Sequence, residues 1–330
     1  MPSSKNANPI FPNSLNARSS FFIPPLFHKE GARGSSIMLK NWLIAIRPKT
    51  LPSSIAPVVI GTAMAWGDGL FHAPSALMAF SAALCIQIGT NLANDYFDFK
   101  KGADTADRKG PTRVTQAGLI KPEAVLTAAI IFFVLAALSS MYLIHRAGIC
   151  ILIIAIASIL SGIFYTAGPK PLGYLGLGDL FVLVFFGPVA VGGTYFTQGL
   201  EINGAVIIAG LAPGFLSTAV LAVNNLRDID TDRRAGKLTL AVRFGRSFAM
   251  SEYLFCIMAA TLIPFAVVLI TGDHQGIALA SLVGFFAIPC VKAAFTHLDG
   301  AGLNRVLGDT GRLLLIYSAL FSLGWVLCSR

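Results

Sequence analysis

The sequence predicts an all-α, polytopic membrane protein of about nine transmembrane helices, on three observations. Of its 330 residues 55% are hydrophobic and only 12% charged, where soluble domains carry about 25% charged residues. Mean hydropathy is +0.71, which excludes an ordinary soluble globule and also a disordered chain. Apolar runs near the roughly 20 residues that cross a bilayer alternate with short polar loops.

Taken in order, residues 1–37 stand apart. They are rich in Ser, Asn, Pro and Arg, and Pro2, Pro9, Pro12, Pro24 and Pro25 leave no room for a continuous helix. Their best apolar stretch, FFIPPLF, is broken and too short for the about 7–15 residue core of a secretory signal. The segment reads as a disordered extension or as a start mis-assigned upstream of Met38; its basic character leaves a transit peptide as the alternative. Residues 38–330 read as a single intramembrane domain. Its apolar runs are Trp42–Trp66, Ser75–Phe97, Ala124–Leu143, Gly148–Tyr165, Leu177–Phe196, Gly204–Leu226, Phe248–Ile270, Gly276–Val291 and Leu313–Leu327, the last two short. Pro52, Pro57, Pro188, Pro213 and Pro264 fall inside them, which membrane helices tolerate because neighbours can satisfy the freed carbonyls. Strands of a barrel would alternate apolar and polar residues; these runs are continuously apolar.

The net charge of +9 comes from 25 Lys and Arg against 16 Asp and Glu. Allotted to alternate loops, 19 basic residues fall on one side of the core and 2, Arg146 and Arg330, on the other. By the positive-inside rule the amino end of the core faces the cytoplasm and the carboxyl end the opposite side. The basic excess is thereby accounted for without nucleic acid. Cys85, Cys150, Cys256, Cys290 and Cys328 lie singly in or beside apolar stretches, without metal-site or disulfide spacing.

The acidic residues are clustered. Asp95–Asp107 and Asp228–Asp232 hold 7 of the 16, each directly after an apolar run on the basic side. Asn94 and Asp98 are one helical turn apart, with Asp104 following the break at Gly102; Asn224, Asp228 and Asp232 repeat the ladder at i, i+4 and i+8. Two such faces brought together would repel unless a cation intervened. Hard oxygen donors favour Mg²⁺, which takes one or two carboxylates and completes its shell with water and substrate phosphate, so the implied substrate is a diphosphate. No histidine lies in either window, which argues against zinc. Carboxylates at helix ends also mark the water interface, the simpler reading of either window alone. Asp95 and Asp230 fall off the ladder faces. Lys170 is the lone base of its loop, and it and Arg47 are either interfacial anchors or partners of a leaving diphosphate.

These motifs together resemble the UbiA superfamily of intramembrane aromatic prenyltransferases across the core from Trp42 to Cys328. The likeness rests on NDYFDFKKGAD, NNLRDIDTDRRAG, YTAGPK between them and the opening RPKTLPSSIAPVVIG. DFKKGAD, with its delayed carboxylate at Asp104, is most similar to the branch that prenylates 1,4-dihydroxy-2-naphthoate in menaquinone synthesis. The resemblance implies a helical bundle around a central cavity and a Mg²⁺-dependent transfer of a polyprenyl group from its diphosphate to the aromatic acid, with loss of CO2. It also implies that Asp98, Asp104, Asp228 and Asp232 hold the metal, that Asn94 and Asn224 join them at the diphosphate, and that Lys170 and Arg113 absorb the leaving charge. Arg47, Tyr165, Arg227 and Asp95 are further substrate-side candidates, Asp95 also as a general base. Tyr96, Phe97, Phe99 and Tyr165 are the aromatic faces expected beside an allylic cation. An aromatic prenyltransferase with a 4-hydroxybenzoate or homogentisate acceptor, and a carboxylate-coupled transporter, are the competing readings.

Overall fold

The computed structural model describes residues 30–103, 110–296 and 299–328, with side chains from residue 37 on. Asp104 therefore lies outside the described residues. The chain divides into two units, Met1–Leu39 and Lys40–Arg330, and the second carries the helical bundle. Among the described residues every regular element is helical. α1 (Glu30–Ile46), α2 (Pro52–Gly67), α3 (Ala73–Lys100), α4 (Pro122–Ala147) and α5 (Ile149–Phe164) are followed by α6 (Gly178–Val184), a π turn (Phe185–Val189), α7 (Ala190–Gly199) and α8 (Gly204–Arg234). A short α9 (Leu240–Phe244) and α10 (Arg246–Thr271) come next, then a 3-10 segment (Gln275–Leu282) that leads through α11 (Val283–Phe286) and α12 (Ile288–Thr296) to α13 (Gly300–Leu327).

Among the described residues seven spans are long and apolar enough to cross a membrane, and an eighth arises if the first apolar run is counted as one broken span. That run bends by 56° between Ile37–Thr50 and Pro52–Gly67. The cause is local: Pro48 and Pro52 interrupt the backbone hydrogen bonding, and Arg47, just before them, takes a left-handed φ of 57°. α5 has 16 residues, about 24 Å of rise against a hydrocarbon core of about 30 Å, yet it leads from the last turn of α4 back to the end of α3, where Lys101 Nζ donates to the Thr166 carbonyl. By length and composition alone, seven or eight of the expected nine qualify, and α5 is the shorter apolar helix left over. The last span is longer than its apolar run, because charged residues from Gly300 onward are already helical.

α8 is the spine of the bundle, touched by α2, α6, α7, α10 and α13. Large side chains such as Leu138, Met141, Leu269 and Phe285 point outward, the distribution expected of a surface solvated by lipid. Gly210 and Gly214 form a G-x-x-x-G step on α8 that receives the π turn of the α6–α7 span. A Cβ at Gly214 would lie 2.5 Å from the Leu183 carbonyl oxygen, and one at Gly210 would lie 2.8 Å from Pro188 Cα. Gly187, with φ −113° and ψ −114°, and Pro188 break the span at this contact. Gly214→Val therefore destabilises the protein by about 1–3 kcal/mol through overpacking, read as a melting temperature several degrees lower in detergent; an unchanged melting temperature would show that the approach is not tight.

Candidate active site

The last turns of α3 and α8 line one cavity of about 340 Å³. The final turns of α3 present Asn94 and Asp98 to it, and α8 presents Asn224, Asp228 and Asp232, so both ladders of the sequence face common space. Asp98 is 1% exposed and Asp228 3%. Each is compensated by cations, as buried charge requires. Asp98 accepts from Arg113 Nη2 and Lys237 Nζ, both at 3.0 Å on Oδ2, and from the Tyr174 hydroxyl at 3.1 Å on Oδ1. Asp228 takes both arms of Arg227, whose Nε donates at 2.8 Å. Arg227 also donates to Asn224 Oδ1 at 2.8 Å and to Asn304 Oδ1 at 2.6 Å, which ties α8 to the first turns of α13.

Asp95 sits one position off the ladder and does something else. Its carboxylate accepts from the backbone N–H groups of Val114 and Thr115 at 3.2 and 3.1 Å, and it does not line the cavity. It folds the loop that delivers Arg113 to Asp98, which makes it a positioning residue. Asp230 is exposed. Arg47 lines the cavity from the left-handed turn before α2, a strained conformation for a long side chain that sites often hold. Tyr165 lines it too; burial first, then Asp179, Asp232 and Asp98, push its phenol well above the ordinary value, so it stays protonated.

Lys170 is not brought to this cluster. It stands exposed on the loop after α5, outside the cavity lining, and the lysine on Asp98 is Lys237, from the loop after α8. Tyr174 explains the placement: its ring lies 5.0 Å from Lys237 Nζ and 4.7 Å from Lys101 Nζ, each ammonium being stabilised by the ring's negative face. Its carbonyl accepts from Leu238 N at 2.9 Å, which holds the two loops together. Lys101 donates in turn to the Thr166 and Gly168 carbonyls at 2.6 and 3.0 Å, and Thr166 donates to Asn94 at 2.8 Å. Desolvation lowers the pKa of the Lys101 ammonium, Lys237 acting in the same sense and Asp98 against it. Of the aromatic residues expected at the site only Tyr165 lines the cavity; Tyr96 and Phe97 pack in the core beneath the α3–α4 contact, and Phe99 is exposed. Phe181, Phe185 and Phe186 of the broken α6–α7 span line it in their place.

The donors fit a hard cation. Carboxylate and amide oxygens line this end, and neither His nor Cys lines the cavity. Among the described residues no three acidic, His or Cys side chains gather closely enough to hold an ion by themselves.

Three kinds of likeness accord with this geometry. Residues 54–302 match the profile of the UbiA prenyltransferase family. The chain is 40% identical over 293 residues to the 1,4-dihydroxy-2-naphthoate octaprenyltransferase of Escherichia coli K12, covering 86% of this chain and 94% of that one. It is 41% identical over 286 residues to the enzyme so named from Mycobacterium tuberculosis, covering 84% and 94%. The structure of a UbiA homologue from Archaeoglobus fulgidus bound to GPP and Mg²⁺ superposes with a TM-score of 0.61 at 15% identity, over 87% of this chain and 99% of that one, and shares the fold. On the family match and these identities, the protein is a member of the UbiA prenyltransferase family.

Proposed function

We propose that the protein transfers a polyprenyl group from its diphosphate to 1,4-dihydroxy-2-naphthoate, releasing diphosphate and CO2 and giving demethylmenaquinone. The observation that carries this reading is the division of one cavity into a charged end and an apolar length. Asp98, Asp228, Asp232, Arg113 and Lys237 converge at the first, while Phe181, Phe185, Val189 and Ile154 line the second. A diphosphate joined to a hydrocarbon tail has that distribution of charge. The names of the relatives support the acceptor.

The chemistry follows from the parts. Asp98, Asp228 and Asp232, with Asn94 and Asn224, would hold Mg²⁺ together with the diphosphate, and Asp104 is proposed with them from its place in the sequence alone. When bound there, Mg²⁺ would supply positive charge against the leaving diphosphate. Arg113 and Lys237, both on Asp98 at 3.0 Å, would stabilise the charge that develops on the leaving diphosphate. The allylic carbon is left among aromatic rings and away from water. The ring carbon bearing the carboxylate then bonds to it, and the bond to the carboxylate breaks, its electron pair restoring the aromatic ring as CO2 departs. No proton is consumed in that sequence, so no general base is needed and Asp95 is free to organise its loop. Arg47, beside the polar side chains of Thr50 and Gln87, is placed to receive the acceptor's carboxylate. The site lies at the cytoplasmic face of an inner membrane, the core's amino end on that side and its carboxyl end on the other, a disposition supported by the 19 to 2 distribution of basic residues.

The test is to incubate membranes containing the protein with Mg²⁺, a polyprenyl diphosphate and either naphthoate or 4-hydroxybenzoate, and to weigh the products. A prenylated naphthoquinol that has lost its carboxyl is expected, with activity abolished by EDTA and restored by Mg²⁺. Prenylated 4-hydroxybenzoate retaining its carboxyl, without the naphthoate product, would overturn the acceptor assignment. Activity indifferent to EDTA would overturn the metal.

A further inference from the structure

A glycine inside a membrane helix ordinarily answers to a positive φ or to a close approach of another backbone. Gly61, Gly187, Gly210 and Gly214 answer to the second, since a Cβ on each would lie 2.5–2.8 Å from backbone atoms of a neighbouring element. Gly193 answers to neither. Its φ is not positive, a Cβ built on it meets nothing within 4 Å, and it lies inside α7, where glycine costs about 1 kcal/mol relative to alanine. What that Cβ would enter is the cavity: Ala190, Gly193, Thr194 and Thr197 form the stripe of α7 that lines it.

The position along the cavity can be read from its ends. The α6–α7 span leaves the charged end at Gly178, whose Cβ would come within 2.8 Å of the Tyr165 hydroxyl. It finishes at the far end, where Arg146, in the last turn of α4, donates to the carbonyls of Thr197 and Gln198 at 2.8 Å each. Gly193 is roughly 20 Å of helix rise from the charged end. Facing it across the same space are apolar side chains, Leu143 of α4 and Ile151 and Ile154 of α5.

We infer that Gly193 is a specificity-determining residue for the hydrocarbon donor: its missing side chain keeps open the stretch of cavity that receives isoprene units remote from the diphosphate. The inference rests on the donor assigned above. It separates short donors, whose tails end before α7, from long ones, which must pass it.

The experiment uses the full-length protein in detergent, with Gly193→Ala, Gly193→Leu and Gly193→Phe compared on a two-unit and an eight-unit prenyl diphosphate at saturating acceptor. Gly193→Phe is expected to lower kcat/KM for the long donor by about tenfold or more while the short donor stays within about threefold, with the leucine variant shifted the same way and the alanine variant least. Equal losses on both donors, or no loss on either, overturn the inference. A melting curve accompanies each variant, and if the phenylalanine variant does not fold, the leucine variant is judged by the same ratio. Wild-type protein inert to every donor would overturn the donor assignment and this inference with it, whereas parallel losses in variants of an active enzyme overturn the inference alone.

Discussion

Asp98→Asn and Asp228→Asn are each expected to reduce turnover by about three orders of magnitude or more, roughly 4 kcal/mol of lost transition-state stabilisation. Asparagine keeps the size of the side chain and an oxygen for Tyr174 or Arg227, so what is removed is the negative charge. At Asp98 that charge is the meeting point of Arg113 and Lys237, and at Asp228 of Arg227. Breaking a buried pair by deleting one partner costs about 3–5 kcal/mol of stability in soluble proteins. The measurement is therefore paired: turnover at saturating donor, and a melting curve in the same detergent. A folded Asp98→Asn variant whose turnover stays within about tenfold of wild type would reject the two-ladder site. Mg²⁺ titration gives a second readout. If the carboxylates share the ion with the diphosphate, the concentration needed for half-maximal activity of any residual turnover rises in both variants.

The two ladders are legible in the sequence because a helix repeats every 3.6 residues, and residues four apart share a face whatever surrounds them. Asn94 with Asp98, and Asn224 with Asp228 and Asp232, need only that α3 and α8 be helices whose ends face one cavity. The side chains that complete the site come from loops and from distant elements, where periodicity carries no information. Tyr174 reaches Asp98 across 76 residues and Lys237 across 139, and nothing in YTAGPKPLGYLGLGD distinguishes its second tyrosine from its first. Lys170 stands out as the only base of its loop, but isolation along the chain does not say which way a loop folds. Asn304 is hidden for another reason: Arg305, Asp309 and Arg312 interrupt the apolar pattern, so the last apolar run begins at Leu313 although its helix starts at Gly300. Spacing separates Asp95 correctly from the ladder, while its bonds to the Val114 and Thr115 amides depend on a loop fold that spacing cannot specify.

Lys237→Ala should lower kcat/KM by about a hundredfold, nearly 3 kcal/mol, and by more than Lys170→Ala does. The reasons are position and charge. Lys237 Nζ is already 3.0 Å from Asp98 Oδ2, so the ammonium sits where a diphosphate oxygen would approach that carboxylate, and its side chain is only 14% exposed. A cation held in a partly dry site acts on developing charge more strongly than one in water. Lys170 is exposed, and its charge is screened before it reaches the cavity. Tyr174 supplies an internal control, because it orients Lys237 without being charged. Tyr174→Phe removes the hydroxyl bond to Asp98 but keeps the ring under the ammonium, and so costs less than Lys237→Ala; Tyr174→Ala removes both and approaches it. Rising ionic strength should weaken the residual contribution of Lys170 and leave that of Lys237 nearly unchanged. If the order of the two lysine variants is reversed, the loop after α5 must close over the diphosphate during turnover, and Lys237 serves only as the counter-ion of Asp98 when no substrate is bound.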